Sequence, residues 1–235
     1  MKKVFIETQN VQRLRRIITS ALDTEKGRPG MVAVWGEAGS GKTIAAQALY
    51  VNSGYYLRAM EGVTQCAFLQ DLCYEVKGSR PRSAAACKRE IIAALDGERQ
   101  AIFVDEADRL NFHRIEDLRD IYDMTGAPIV LIGEQGLPTL LEARSRIIDR
   151  IPNEFRLPFA KIEPADVAMY ALEAASLSLT PEACTVIHTA TRGNFRRVHN
   201  ALLSIESAAR AAGTNEVDVA LARTVCEQQK TRRKS

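Results

Sequence analysis

MVAVWGEAGSGKT, residues 31–43, sets an apolar run directly before a glycine-rich turn that ends in Lys42 and Thr43. The run Met31 to Trp35 lacks polar alternation, which suits a strand covered on both faces of a parallel sheet. Gly36-Glu37-Ala38-Gly39-Ser40-Gly41-Lys42-Thr43 fits GxxxxGK[ST], and the apolar spacing that follows predicts a helix through Ile44 to Val51. Strand, turn and helix in that order are the context the pattern requires. Glycines at 36, 39 and 41 permit backbone angles that turn successive amide hydrogens toward a β-phosphate at a positive helix end. Lys42 would bring charge to the β- and γ-phosphates, and the Thr43 hydroxyl would ligate Mg²⁺. The expected nucleotide contacts run from Gly36 to Ile44, with ATP and Mg²⁺ as cofactors.

The flanking sequence alternates strand and helix. Tyr55 to Ala59, Ala101 to Val104, Pro128 to Ile132 and Glu154 to Pro158 read as strands. Thr64 to Glu75, Ala84 to Leu95 behind a Ser83 cap, and Ile115 to Met124 read as helices. This predicts the α/β class: a P-loop, three-layer αβα domain on a parallel sheet over residues 1–160. From Pro164 the pattern becomes helical, through Ala165 to Ala175, Pro181 to Thr191, Asn194 to Ala212 and Glu216 to Gln229, with no strand expected. Residues 161–235 are therefore expected to form a small α-helical lid domain with a basic tail.

Composition excludes several classes. With 46% hydrophobic and 26% charged residues, the 235-residue chain is neither disordered nor fibrous. Met1 to Asn10 lacks the apolar run of a signal peptide, and no stretch has the length of a membrane span, so a cytoplasmic chain with no membrane partner is expected. Five cysteines without a CxxC pair suggest reduced thiols, and His113, His188 and His199 are isolated. The net charge of +3 hides an asymmetry: residues 1–28 carry seven Lys or Arg against three acids, and residues 230–235 carry four against none. Basic ends on an acidic body suit a polyanion, with solvated termini as the simpler reading from charge alone.

Ile102-Phe103-Val104-Asp105-Glu106 is an apolar strand ending in two acids. Asp105 is expected to hold the metal through water, and Glu106 to orient and activate the attacking water as general base. Asp105 to Asp108 also spells DEAD, but a helicase of that type needs a second α/β domain, where only a helical module follows here. Asp108 then reads as a solvated helix start. At the end of the strand Pro128 to Ile132, in Ile132-Gly133-Glu134-Gln135, Glu134 and Gln135 occupy the place of a γ-phosphate sensor, or of an ordinary polar turn. Of Arg144, Arg146 and Arg150, either Arg146 or Arg150 is expected to reach a neighbouring subunit's nucleotide as an arginine finger. Arg196, in Gly193-Asn194-Phe195-Arg196-Arg197, is placed to fold over the phosphates. Lys77, Arg80, Arg82, Lys88 and Arg89 lie in a stretch without acids and suit DNA backbone contacts, with a solvated helix face as the competing reading.

With these motifs the chain resembles the AAA+ ATPases, and within them the DNA transposition regulators of the phage Mu B, TnsC and TniB type. Phe5 to Val11 is similar to the short element those proteins carry ahead of the P-loop. Asp105 to Leu110, Leu118 to Asp123 and Ile129 to Gly133 are similar to their "DEA..L … LR.I.D … LVLVG" run, and GNFRRVHN at 193–200 to their lid motif. The resemblance implies an ATP-controlled, largely sequence-independent binder of double-stranded DNA that assembles into filaments or rings and stimulates a transposase. A secretion-associated ATPase of the ExeA type, or a protein-remodelling ATPase, shares much of the pattern and stands as the alternative.

Overall fold

The computed structural model describes residues 1–23, 30–51, 54–98 and 100–232. Strands β1 (Met31–Trp35), β2 (Gly54–Arg58), β3 (Ala101–Asp105), β4 (Ile129–Gly133) and β5 (Arg156–Pro158) form a parallel sheet in the order β2-β3-β4-β1-β5. The side-chain period of two splits each strand between two layers. Met31, Ala33, Ile102, Val104, Ile129 and Leu131 pack with α3 (Gln65–Lys77), α4 (Ala84–Leu95) and α5 (Phe112–Thr125), joined by the short helices α6 (Leu137–Glu142) and α7 (Ser145–Ile148). Val32, Val34, Phe103, Val130 and Ile132 pack with α1 (Gln9–Leu22) and α2 (Lys42–Tyr50). Burying each such side chain contributes about 1.5–3 kcal/mol. The fully buried central strands β3 and β4 therefore fix the sheet more firmly than the partly exposed edge strand β2.

Local signals set the helix ends. Ser83 Oγ accepts from Ala86 N at 3.2 Å and Thr64 Oγ1 from Ala67 N at 3.3 Å, each satisfying a donor that the helix leaves open. Gly78 and Gly126 close α3 and α5 in the left-handed region, at φ 76° and 70°. Helix α1 follows from Val11, Leu14 and Ile18 recurring on one buried face.

The chain divides into two compact units, one of Asn10–Gly36 and Lys42–Phe159, the other of Met1–Gln9, Glu37–Gly41 and Ala160–Ser235. The second unit contains α8 (Pro164–Ala175), α9 (Pro181–Thr191), α10 (Phe195–Ala211) and α11 (Val219–Arg232) around Val167, Ile187, Val198, Leu202 and Ile205, with Ile6 in the same cluster. The expectation of no strand in this segment is corrected: β6 (Ser178–Leu179) and β7 (Glu216–Val217) form a parallel pair. Two-residue strands carry no readable alternation. The last helix consequently starts at Val219 rather than Glu216, with the Asp218 carboxylate accepting from Leu221 N at 2.8 Å. No helix among the described residues is long and apolar enough to cross a membrane.

Candidate nucleotide-binding site

In open parallel sheets, ligands sit outside the carboxyl ends of the strands. Here the end of β1 leads into loop 36–43, β3 ends at Asp105, and β4 leads into Glu134. Gly39 and Gly41 hold φ +79° and +96°, a region that other residues enter only with strain. Ser40 N donates to Glu37 O at 3.2 Å, which folds the loop into a tight turn. Lys42 opens α2, is 8% exposed, and donates from Nζ to the Gly36 carbonyl at 2.9 Å. The Ile44 side chain, one residue past Thr43, is exposed.

Thr43 Oγ1 donates to Asp105 Oδ2 at 2.7 Å, so the structure brings the ends of the two sequence motifs together. Asp105 is 2% exposed, and each of its oxygens is occupied. Oδ1 accepts from Glu106 N at 2.9 Å, and Oδ2 also accepts from Tyr56 Oη at 2.8 Å. Burial pushes the Tyr56 phenol well above its ordinary value, and the Asp105 carboxylate pushes it further, with Gln47 and Arg58 pulling back. Tyr56 is absent from the sequence-derived site because its role comes from strand register. It pairs with Phe103, two residues before Asp105 and on the same sheet face.

Glu106 adopts a left-handed backbone at φ 55°. Its carboxylate is engaged by Arg58 and by Arg109, whose Nε lies 2.5 Å from Oε2. Arg58 stands opposite Asp105 in the β2–β3 register, and its guanidinium is held above its ordinary pKa, first by the hydrogen bond to Glu106. The expected general base is thus held by two guanidinium groups.

Glu134 and Gln135 are exposed. The Glu134 backbone N donates to Asp108 Oδ1 at 2.9 Å, and a Cβ on Gly133 would lie 2.4 Å from that same oxygen. Asp108 is therefore a tie between the ends of β3 and β4 rather than a solvated helix start. Arg150 makes a two-pronged pair with Asp123, Nε to Oδ1 at 2.6 Å and Nη2 to Oδ2 at 2.8 Å. Arg146 is exposed, and Arg144 stacks over Phe112 at 4.3 Å.

In the helical unit, Arg196 N donates to Gly39 O at 3.0 Å and Asn194 Nδ2 donates to Ala38 O at 2.8 Å. The predicted lid residue is thereby beside the glycine-rich loop, and Asn194 joins it. The segment between Lys77 and Arg89 is less free in charge than its sequence suggests. Lys77 pairs with Glu90 at 3.5 Å, Arg80 with Asp71 at 2.5 Å, and Lys88 with Asp117 at 2.8 Å and Asp120 at 3.0 Å. Arg82 and Arg89 are exposed, as are Arg13 and Arg16 on α1. Of the basic ends, Lys26, Arg28, Arg233 and Lys234 lie outside the described residues. None of the five cysteines is in a disulfide, and three of them lie on α3 and α4.

A family profile described as an AAA domain matches residues 24–141, half of the chain. The ATP-dependent target DNA activator B of Escherichia phage D108 is 26% identical over 151 residues, covering 62% of this chain and 46% of the relative. The Mu-like prophage FluMu DNA transposition protein B of Haemophilus influenzae is 27% identical over 143 residues, covering 59% of this chain and 48% of the relative. The chain spans about half the length of the curated relatives it matches. Among solved structures, the ORC2 protein of Aeropyrum pernix aligns with a TM-score of 0.67 at 14% identity, over 92% of this chain and 67% of that one, a likeness of fold.

Proposed function

Because the chain belongs to the AAA domain family, we propose that it is an ATP-switched, sequence-independent binder of double-stranded DNA that oligomerises on DNA and activates a transposase at the target. Nucleotide binding and ATP hydrolysis are the chemistry of that family. The partners are taken from the named activities of the two curated relatives. The observation that carries the reading is the 2.7 Å contact between Thr43 Oγ1 and Asp105 Oδ2. It sets two hard oxygen donors side by side beyond the glycine-rich loop, a donor set that fits Mg²⁺.

In this reading the amides of residues 36–43 cradle the phosphates, and Lys42 exchanges the Gly36 carbonyl for phosphate oxygen. Thr43 and Asp105 hold Mg²⁺, which when bound neutralises charge on the phosphates. Tyr56 and the Glu106 amide orient Asp105. Glu106, once released by Arg58 or Arg109, takes the proton of the attacking water. Arg146 is the finger that reaches a neighbouring subunit's nucleotide, because Arg150 is already committed to Asp123. Arg196 couples the lid to the γ-phosphate, and Glu134 follows nucleotide state through its tie to Asp108. ATP at the subunit interface then stabilises a filament or ring, and hydrolysis dissolves it.

Sedimentation of wild type, Lys42→Ala and Glu106→Gln with duplex DNA tests this reading. ATP should assemble the wild type, fail with Lys42→Ala, and trap Glu106→Gln in the assembled form. Rapid disassembly of Glu106→Gln in ATP would sink the assignment of that residue. A second reading, a protein-remodelling or secretion-associated ATPase, is favoured by the internal ion pairs of Lys77, Arg80 and Lys88. ATPase activity stimulated by protein and indifferent to DNA would select it.

A further inference from the structure

Asn194 is 6% exposed and precedes α10, whose first-turn donors need partners. Its Oδ1 accepts from Arg197 N at 3.2 Å, the usual work of a helix cap. Its Nδ2 donates to Ala38 O at 2.8 Å, which a cap does not require. The amide orientation follows from its neighbours, because Arg197 N–H only donates and a carbonyl only accepts. The next donor on α10, Arg196 N, takes the Gly39 carbonyl at 3.0 Å. Consecutive carbonyls of the glycine-rich loop are therefore gripped from one helix end. Gly39 leaves no room between them: a Cβ there would lie 2.8 Å from Arg196 Cβ and 2.9 Å from Asn194 Oδ1.

Resting on the nucleotide-site reading above, we infer that Asn194 is a positioning residue for the phosphate-binding loop. The Ala38 carbonyl and the Gly39 N–H share one planar trans peptide and point in opposite directions. Holding that carbonyl on Asn194 aims the Gly39 N–H away from the lid helix, before any ligand arrives. That N–H then meets the β-phosphate without first paying to reorient a flexible glycine. The residue type follows from this double task. Asp or Ser caps a helix as well as Asn does, but an ionised Asp cannot donate and Ser is too short to span both partners.

The test is titration of mant-ADP and mant-ATP into wild type, Asn194→Ser, Asn194→Ala and Arg196→Ala, with melting temperatures alongside. Asn194→Ser keeps the cap and loses the bond to Ala38. It should melt closer to wild type than Asn194→Ala does, and bind both nucleotides about ten-fold more weakly, by the same factor, since the β-phosphate is common to them. Asn194→Ala should show that affinity loss together with a lower melting temperature. Arg196→Ala should weaken mant-ATP more than mant-ADP. Wild-type affinity in Asn194→Ser overturns the inference and leaves Asn194 as a cap alone. An ATP-selective loss in that variant also overturns it, by assigning the effect to displacement of Arg196. Absence of nucleotide binding by the wild type strikes the site reading itself, and the inference with it.

Discussion

Replacing Tyr56 with Phe removes the hydrogen bond to the most buried carboxylate of the site, together with the Gln47 contact at the same oxygen, and leaves the ring in place. Asp105 keeps Thr43 Oγ1 at 2.7 Å and the Glu106 amide at 2.9 Å, so the carboxylate loses one of three donors. Hydrogen bonds to charged groups contribute about 1.5–3 kcal/mol, and a half-buried phenol belongs at the lower end, about 1.5 kcal/mol. For a chain of this size, that loss corresponds to a melting temperature lower by about 3–6 °C. The pH dependence supplies a sharper signature. Because the folded-state phenol holds its proton more tightly than the unfolded one, its contribution is complete below the ordinary tyrosine value of about 10 and is lost as pH rises toward the folded value. Melts of wild type and Tyr56→Phe in nucleotide-free, Mg²⁺-free buffer should therefore differ most near about pH 8 and converge toward about pH 11. A gap that does not change with pH, or equal melting temperatures near neutrality, would refute the role given to this bond.

Three further outcomes follow from the same geometry. Lys88→Ala should lower stability by about 1–2 kcal/mol in chemical denaturation, because Asp117 is only 4% exposed and loses a cation. Arg82→Ala and Arg89→Ala should leave stability unchanged and flatten the slope of log affinity for DNA against log salt by about 0.9 for each phosphate no longer neutralised. Arg146→Ala should reduce ATP turnover of the assembled form at unchanged melting temperature, whereas Arg150→Ala should lower the melting temperature by opening the pair with Asp123.

The parts of the site that sequence makes legible are those carried by contiguous residues. The loop 36–43 needs its glycines in fixed order, and β1 and α4 have the bounds that the apolar run and the Ser83 cap predict. The parts it hides depend on residues meeting across the sheet. Tyr56 and Arg58 look like ordinary strand residues until the register with β3 sets them beside Asp105 and Glu106. Asp108 looks solvated until β4 arrives next to β3 and presents the Glu134 amide. The acids that neutralise Lys88 come from α5, about thirty residues on, so a local charge count between Glu75 and Glu90 overstates the free positive charge. β6 and β7 are invisible for a different reason. Their order comes from pairing with each other between helices, not from a pattern within either segment.

In the proposed function, ATP switches binding to duplex DNA of any sequence. Fluorescence anisotropy of two unrelated labelled duplexes, titrated in ATP, ADP and no nucleotide at two salt concentrations, addresses it directly. Both duplexes should bind tightly in ATP alone, and the binding should weaken steeply with salt. Absence of binding to either duplex in every nucleotide state would contradict it and assign the basic segments to another partner.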